Sequence, residues 1–288
     1  ADLQIQTYND PWQIVIGDFS NSGSNGLAVI CRGGAPESTD PAVIILLRQP
    51  FINLADKKHI ELSGFSQLKL LTAGHVNSDG RLDLIAGDAY GSSIVVLTQP
   101  ATFSTSWSPS ALDIGGPIAD IKFMDYSGSG TVKDLVTIKY GMDSKQIEIR
   151  ENKGGISASP SQTFSFNGAT SLAVGGVSGA SSSDLMVLSM TANQARLYVH
   201  KGSGLDSSAI SQFPVNSGSI KASVIDIGAY VLSSGSAGTK PTVEFYKYSD
   251  SKMRNADGVR LVESGQPKLV CAGDVSVGII ATAYEGQK

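Results

Sequence analysis

Apolar stretches of strand length alternate with polar turns along the chain, and one arrangement of them recurs six times. Each copy has an apolar stretch, a turn rich in Asp, Ser, Asn and Gly, and a second apolar stretch. The six turns are anchored at Asp18, His75, Asp125, Gly176, Asp226 and Asp274, with steps of 57, 50, 51, 50 and 48 residues. A repeat of this length built from short strands cannot bury its own faces. It therefore stacks on copies of itself, as a closed ring or an open array.

Within one repeat the pattern predicts four strands joined by hairpins. In residues 64–114, the three clearest strands are Gln67–Ala73, Leu82–Ala86 and Ser93–Leu97, and a weaker fourth follows. First and second strands are nearly all apolar, so we expect both of their faces to be covered. Third strands such as Gln146–Arg150 alternate polar and apolar residues, as half-buried strands do. This gradient favours a β-propeller over a solenoid, which would need polar capping repeats.

The predicted fold is an all-β, single-domain β-propeller over residues 1–288, with six blades; seven irregular blades are the alternative. The approximate blades are 9–63, 64–114, 115–166, 167–216, 217–264 and 265–288, the last completed by residues 1–8. The alternating segment Leu3–Thr7 has no repeat of its own. Adding it to the last blade would close the ring without a covalent bond and protect two sheet edges.

Charge and composition limit the classes of partner and the location that we expect for this chain. The net charge is −4 and no basic cluster occurs, which argues against nucleic acid. No apolar run approaches the roughly 20 residues that a membrane-spanning helix needs, so we expect no membrane insertion. Much Ser, Thr and Gly with little Lys favours an extracellular or cell-surface protein, with the periplasm as the alternative, and we expect a monomer. The start at Ala1, without Met, is what we expect of a processed or trimmed product.

Two cysteines, Cys31 and Cys271, lie in apolar strand-like runs. Two buried thiols are the preferred interpretation. A disulfide is the alternative, because the first and last blades of a closed ring are neighbours.

The second repeat carries a recognisable motif. Gly64-Phe65 begins it, the segment 77–84 reads NSDGRLDL, and Gly87-Asp88-Ala89 follows. These residues resemble the FG-GAP repeat of integrin α-subunit propellers and the related VCBS-type repeats. The first repeat carries a displaced Gly34-Ala35-Pro36. The resemblance covers four repeats and fades in the last two. It implies the propeller fold and says little about function.

In that family the turn often binds Ca²⁺, which prefers six to eight oxygen ligands. The resemblance implies two candidate ligand sets, Asn77, Asp79, the Arg81 carbonyl and Asp83 in one loop, and Asp125, Ser127, Ser129 and Asp134 in the next. Neither loop offers more than two carboxylates, so Ca²⁺ would bind weakly. Turns held by side-chain hydrogen bonds, without metal, are therefore the preferred interpretation.

No catalytic motif is present. The three histidines lie in different repeats, and no nucleophile elbow, zinc-binding helix motif or phosphate-binding loop occurs. Asp120, Asp226 and Asp274 lie on or beside first strands, where we interpret them as structural. Trp12 and Trp107 are candidates for stacking on a ligand; covering surface between blades is the preferred alternative.

The sequence thus favours a non-enzymatic binding, adhesion or scaffold module that engages a protein or glycan through loops at one end of the blades. A lectin is the first alternative. A polysaccharide lyase or hydrolase working in the central channel is the second.

Overall fold

Every regular element is a β-strand in the residues that the structure, a computed structural model, describes. These residues are 11–31, 42–46, 57–65, 68–102, 106–128, 132–140, 146–178, 183–201, 204–208, 211–215, 219–225, 228–233, 242–249, 252–260, 267–272 and 280–284. Over these ranges, no helix has the length and hydropathy that crossing a bilayer requires.

The strands form successive antiparallel sheets, five of them with four strands. The first sheet contains β1 (Pro11–Gly17), β2 (Gly26–Cys31), β3 (Ala42–Leu46) and β4 (Lys57–Glu61). The second contains β5 (Leu68–Gly74), β6 (Asp83–Asp88), β7 (Ser93–Thr98) and β8 (Ser108–Asp113). The third contains β9 (Ile118–Met124), β10 (Asp134–Lys139), β11 (Gln146–Arg150) and β12 (Gln162–Ser165).

The fourth sheet contains β13 (Ala169–Gly175), β14 (Asp184–Ser189), β15 (Gln194–Tyr198) and β18 (Ser211–Pro214). Along the chain, its last two strands are separated by a short ribbon, β16 (His200–Lys201) paired with β17 (Gly204–Leu205). The sequence pattern did not predict this ribbon. The fifth sheet contains β19 (Ser219–Ile225), β20 (Gly228–Ser233), β21 (Thr242–Ser249) and β22 (Lys252–Arg260). The sixth pairs β23 (Pro267–Ala272) with β24 (Ile280–Tyr284).

The predicted gradient from covered inner strands to exposed outer strands is confirmed in the second to fourth sheets. Five residues of β6, five of β10 and all six of β14 are buried. The outer strand β8 has no buried residue. Apolar side chains on both faces of a second strand can leave water only when neighbouring sheets cover them, so burial along β6, β10 and β14 drives the stacking.

The chain divides into two compact units. The first comprises the described parts of 1–123, 131–135 and 150–160, and the second those of 124–130, 136–149 and 161–288. One core of the first unit is built around Phe19, Ile30, Leu71, Leu84 and Leu97, all fully buried.

A second core of the first unit gathers Ile85, Ile94, Ile118 and Leu135. The core of the second unit gathers residues from β13 to β22 and includes Phe213, whose ring centroid lies 4.9 Å from that of Tyr246.

Several predictions fall on residues outside the described ranges. Leu3–Thr7, Ser129, Asp226 and Asp274 lie there, so ring closure by the N-terminal strand stays a prediction. Cys31 is fully buried in β2. The Cys271 side chain is not among those described, and the expectation of two buried thiols also stays a prediction.

Candidate functional site

The turn between β5 and β6 was the first candidate for a Ca²⁺ loop. Its oxygens accept hydrogen bonds from its own backbone: Asn77 Oδ1 from the Asp79 N–H (2.9 Å), and Asp79 Oδ1 from the Arg81 N–H (2.8 Å). The Arg81 guanidinium lies 2.5 Å from Asp79 Oδ2, so a cationic side chain already neutralises that carboxylate. The Arg81 carbonyl contacts His75 Nδ1 at 2.8 Å. This is the geometry of a polar turn closed by side-chain hydrogen bonds.

Asp83, the last candidate ligand of that loop, is fully buried at the start of β6. Its two carboxylate oxygens accept hydrogen bonds from the backbone N–H groups of Val76 (2.9 Å) and Gln99 (2.8 Å). Burial disfavours the charged form and raises the pKa of Asp83 above its ordinary value of 3.8, although these two hydrogen bonds act in the opposite direction. Asp83 thus ties the turn after β5 to the end of β7.

The same arrangement recurs in the next two sheets. Asp134 and Asp184 are also fully buried at the starts of β10 and β14. Asp134 Oδ1 accepts from the Asn152 N–H (2.7 Å), and Asp184 Oδ1 accepts from the His200 N–H (3.0 Å). We call Asp83, Asp134 and Asp184 the anchoring carboxylates. Each holds the backbone just beyond the third strand of its own sheet, and a buried carboxylate needs such donors.

Beyond the third strand, the residue held in this way reaches the preceding sheet. Asn152 Nδ2 donates to the Val76 carbonyl (2.7 Å) and to the Lys133 carbonyl (3.2 Å). One repeat later, His200 Nε2 lies 2.6 Å from the Tyr126 carbonyl. Since a carbonyl can only accept, His200 carries a proton on Nε2. Val76 and Tyr126 are equivalent, because each follows the anchor residue of its turn.

A backbone contact accompanies each of these side-chain contacts. The Lys133 N–H donates to the His75 carbonyl (2.9 Å), and the Ser183 N–H donates to the Asp125 carbonyl (3.1 Å). We call each pair of contacts an inter-sheet clasp: the first involves Asn152 and Lys133, the second His200 and Ser183. The polar turns are therefore part of the framework that joins successive sheets.

The second candidate Ca²⁺ loop follows β9. Asp125 is buried, its N–H donates to Ser183 Oγ (3.0 Å), Ser127 is exposed, and Asp134 is an anchoring carboxylate. In the described part of the chain, no group of three or more His, Cys, Asp or Glu side chains could hold a metal ion. Weak Ca²⁺ binding by either loop stays a prediction.

The turn after β1 uses its anchor differently. The Asp18 carboxylate accepts from the backbone N–H groups of Ser20 (3.2 Å), Ser22 (3.0 Å) and Gly23 (2.6 Å). Burial opposes the charged form, but these hydrogen bonds, together with the Ser20 hydroxyl, outweigh it and lower the pKa of Asp18. Gly23 has φ of 78°, a conformation that favours glycine, so the chain can wrap around the carboxylate.

Trp107 is only 4% exposed and packs in the core around Phe19 and Leu97. Stacking on a ligand requires an exposed ring, so the structure corrects the candidate role of Trp107 and matches the alternative that it covers surface between sheets. The sequence suggested an exposed Trp107 ring because the surrounding loop is polar. Asp120, interpreted from the sequence as structural, is fully buried and accepts from the Ile121 N–H (2.9 Å).

Trp12 lies in a different environment. It is half-buried at the start of β1, with part of its surface against the same core. The ammonium of Lys69 lies 4.3 Å from its ring centroid and 5.0 Å from that of Tyr90, a residue 70% exposed. The sequence drew attention to Trp12. It could not place Lys69 close to both the Trp12 and Tyr90 rings, because the contact between Trp12 and Lys69 joins two sheets.

Exposed large apolar side chains recur at one turn, that between second and third strands. Tyr90 (70% exposed), Tyr140 (48%) and Met190 (41%) follow β6, β10 and β14, and they are 50 residues apart. Isolated apolar residues on a surface are ordinary. Here, three successive repeats expose a large apolar side chain at the same structural position, which isolated surface residues would not do.

Comparisons with known proteins support the fold. The chain is similar to a crystal structure of BBS1N in complex with ARL6DN soaked with lead, with a TM-score of 0.58 and 11% identity over 96% of this chain and 76% of that one. A mercury-soaked crystal of the same complex gives a TM-score of 0.58 and 11% identity over 91% and 72%. A crystal structure of a protein from Lactobacillus plantarum gives a TM-score of 0.53 and 10% identity over 87% of this chain and 80% of that one.

At such identities the likeness concerns the fold alone, and that fold is an all-β propeller type. No family model matches the chain, and no curated protein matches its sequence. The number of blades and the FG-GAP resemblance stay predictions.

Proposed function

We propose that this chain is a non-enzymatic binding module, a scaffold whose turns between second and third strands engage a protein partner. The observation that carries the proposal is the recurrence of Tyr90, Tyr140 and Met190, exposed at the same turn of successive sheets. Aromatic and methionine side chains are enriched in protein interfaces. The structurally similar BBS1N is described in complex with ARL6DN, which supports a protein as the class of partner.

The frame behind these turns suits such a role. The anchoring carboxylates and inter-sheet clasps lie at the opposite ends of the second strands, where they hold successive sheets together without using the exposed turns. Loops on a rigid frame can vary in sequence while the fold is preserved. We also propose, from the composition, that the chain works outside the cytoplasm, in the extracellular space or at the cell surface.

Site-specific photocrosslinking tests the proposal. A benzophenone amino acid replaces Tyr90 or Tyr140 in the full chain, and the matched control replaces Thr163, an exposed residue of the outer strand β12. Variants are exposed to a cell-surface extract of the source cells, and a captured protein is purified for a binding titration. We expect a protein to crosslink from position 90, from position 140 or from each of them, but not from 163. Absence of any such protein, with binding on a glycan array instead, would favour the lectin.

A further inference from the structure

The ammonium of Lys69 lies close to two aromatic rings of the first unit. β1 packs against β5, and Trp12 and Lys69 lie near the beginnings of these two strands. The pairing of Leu68 with Asp88 brings the turn that follows β6 back to the same end of the second sheet. The Tyr90 ring therefore lies near the Lys69 ammonium, as the Trp12 ring does.

The charge of Lys69 is not neutralised by a carboxylate within the ranges that the structure describes. Other described lysines meet a carboxylate, among them Lys139 with Glu148 at 3.3 Å, Lys153 with Glu151 at 2.5 Å and Lys201 with Asp206 at 2.8 Å. Aromatic rings hold an ammonium by their quadrupole and leave its net charge unchanged. Lys69 thus offers a positioned cation to a ligand.

The nearby acidic residue serves the turn. Asp88 Oδ1 accepts hydrogen bonds from the N–H groups of Tyr90 and Gly91, both at 2.8 Å. These contacts fix the backbone that presents the Tyr90 ring, which remains 70% exposed. A ring held at a defined place loses little conformational freedom when a partner covers it.

We propose that Trp12, Lys69 and Tyr90 form a docking site for an acidic segment of the protein partner. An Asp or Glu carboxylate of that segment pairs with the Lys69 ammonium, and an adjacent apolar side chain packs on the Tyr90 ring. Charge complementarity selects the acidic segment. A protein is favoured over a sugar because Trp12 is partly buried against the core and has Lys69 over its ring, which reduces the ring surface available for stacking. The inference rests on the proposed protein-binding function.

The first test uses two synthetic 12-residue peptides, one alternating Asp or Glu with Phe or Leu, and one with Asn and Gln in place of the acids. Lysines of the full chain are ¹³C-dimethylated and observed by NMR, with the Lys69 signal assigned from Lys69→Arg. We expect the acidic peptide to shift the Lys69 signal and the amide peptide to leave it unchanged. Added salt should weaken the shift, because the pairing is electrostatic.

Variants give the quantitative test. Lys69→Gln and Tyr90→Ala should each weaken binding of the acidic peptide by about tenfold or more, as truncating a central interface residue does. Lys153→Gln is the matched control, because it removes the same charge from a side chain that is 81% exposed. This control should bind within about twofold of the wild type. Lys69→Arg should retain binding, and unchanged melting temperatures would show that the variants are folded.

Three results would overturn the docking site. The first is equal binding of the acidic and amide peptides. The second is an equal loss of affinity for the acidic peptide in Lys69→Gln and Lys153→Gln. The third is that an oligogalacturonate binds at Lys69 more tightly than the acidic peptide does. The partner captured by photocrosslinking separates the two proposals. If it binds Lys69→Gln and Tyr90→Ala as tightly as wild type, the docking site fails and the protein-binding function stands. If no partner is captured and neither peptide binds, both fail.

Discussion

The first inter-sheet clasp makes a quantitative prediction about stability. Asn152 is 4% exposed, and its side-chain amide donates to two backbone carbonyls, those of Val76 at 2.7 Å and Lys133 at 3.2 Å. Asn152→Ala removes both donors and leaves the carbonyls in a site that water cannot easily fill. At about 1 kcal/mol for each net hydrogen bond and a similar cost for the unpaired buried acceptor, unfolding should become easier by about 2–3 kcal/mol.

Asn152→Asp tests whether donation matters, because it keeps the size of the side chain. The change places a carboxylate oxygen opposite the two carbonyls, and burying an unpaired charge is costly. We therefore expect this variant to be less stable than Asn152→Ala by about 1–3 kcal/mol. Asn167→Ala is the matched control, since the Asn167 side chain is exposed, and it should change stability by less than about 0.5 kcal/mol.

Urea unfolding followed by tryptophan fluorescence measures these differences, because Trp107 is buried in the same unit as Asn152. With a slope of about 3 kcal/mol per molar urea, Asn152→Ala should lower the midpoint by about 0.7–1 M. The reasoning is refuted if Asn152→Ala and Asn167→Ala shift the midpoint equally, or if Asn152→Asp is as stable as the wild type.

Three further predictions concern acid, packing and metal. The pKa of Asp18 is lowered on folding, so its stabilisation is fully present above 3.8 and is lost as the pH falls through the lowered pKa; Asp18→Ala should flatten that part of a plot of urea midpoint against pH. Gly74→Ala places a methyl group against the Phe123 ring and should cost about 1–3 kcal/mol, whereas Gly155→Ala, with open space around it, should change the urea midpoint little; equal effects would contradict the packing argument. Since the oxygens of the turn after β5 already accept hydrogen bonds, millimolar Ca²⁺ or a chelator should move the melting temperature by less than about 1 °C, and a clear rise with Ca²⁺ would show that metal binds.

Much of the fold could be predicted from periodicity. Strand β11 has the bounds Gln146–Arg150 that its alternation predicted, and β7 differs from the predicted strand by one residue. The last predicted blade, 265–288, contains the paired strands β23 and β24. The alternation of β11 predicted its bounds correctly, but the half-buried state expected from it was wrong. Four of its five residues are buried, including the polar Glu148 and Arg150, because both faces of the strand are covered.

The candidate site was less predictable. The motif directed attention to Asp83 and Asp134 as metal ligands, yet these carboxylates hold backbone N–H groups 16 and 18 residues further along the chain. Metal binding and the anchoring of backbone N–H groups both place an acid at the same position of the repeat, so spacing alone does not distinguish the two roles. Likewise, a tryptophan in a polar loop has the same sequence signature whether its ring faces solvent or, like Trp107, packs into a core.

Repeat length, strand content and the gradient from buried to exposed strands were readable from the chain alone, because each depends on residues within about 50 positions of one another. The partners of polar groups were decided by tertiary structure. His200 reaches the Tyr126 carbonyl across 74 residues, and Lys69 lies over a tryptophan 57 residues away. Hydrogen bonds and cation–π contacts act over a few ångströms and require specific directions, so they are formed only once the sheets are stacked.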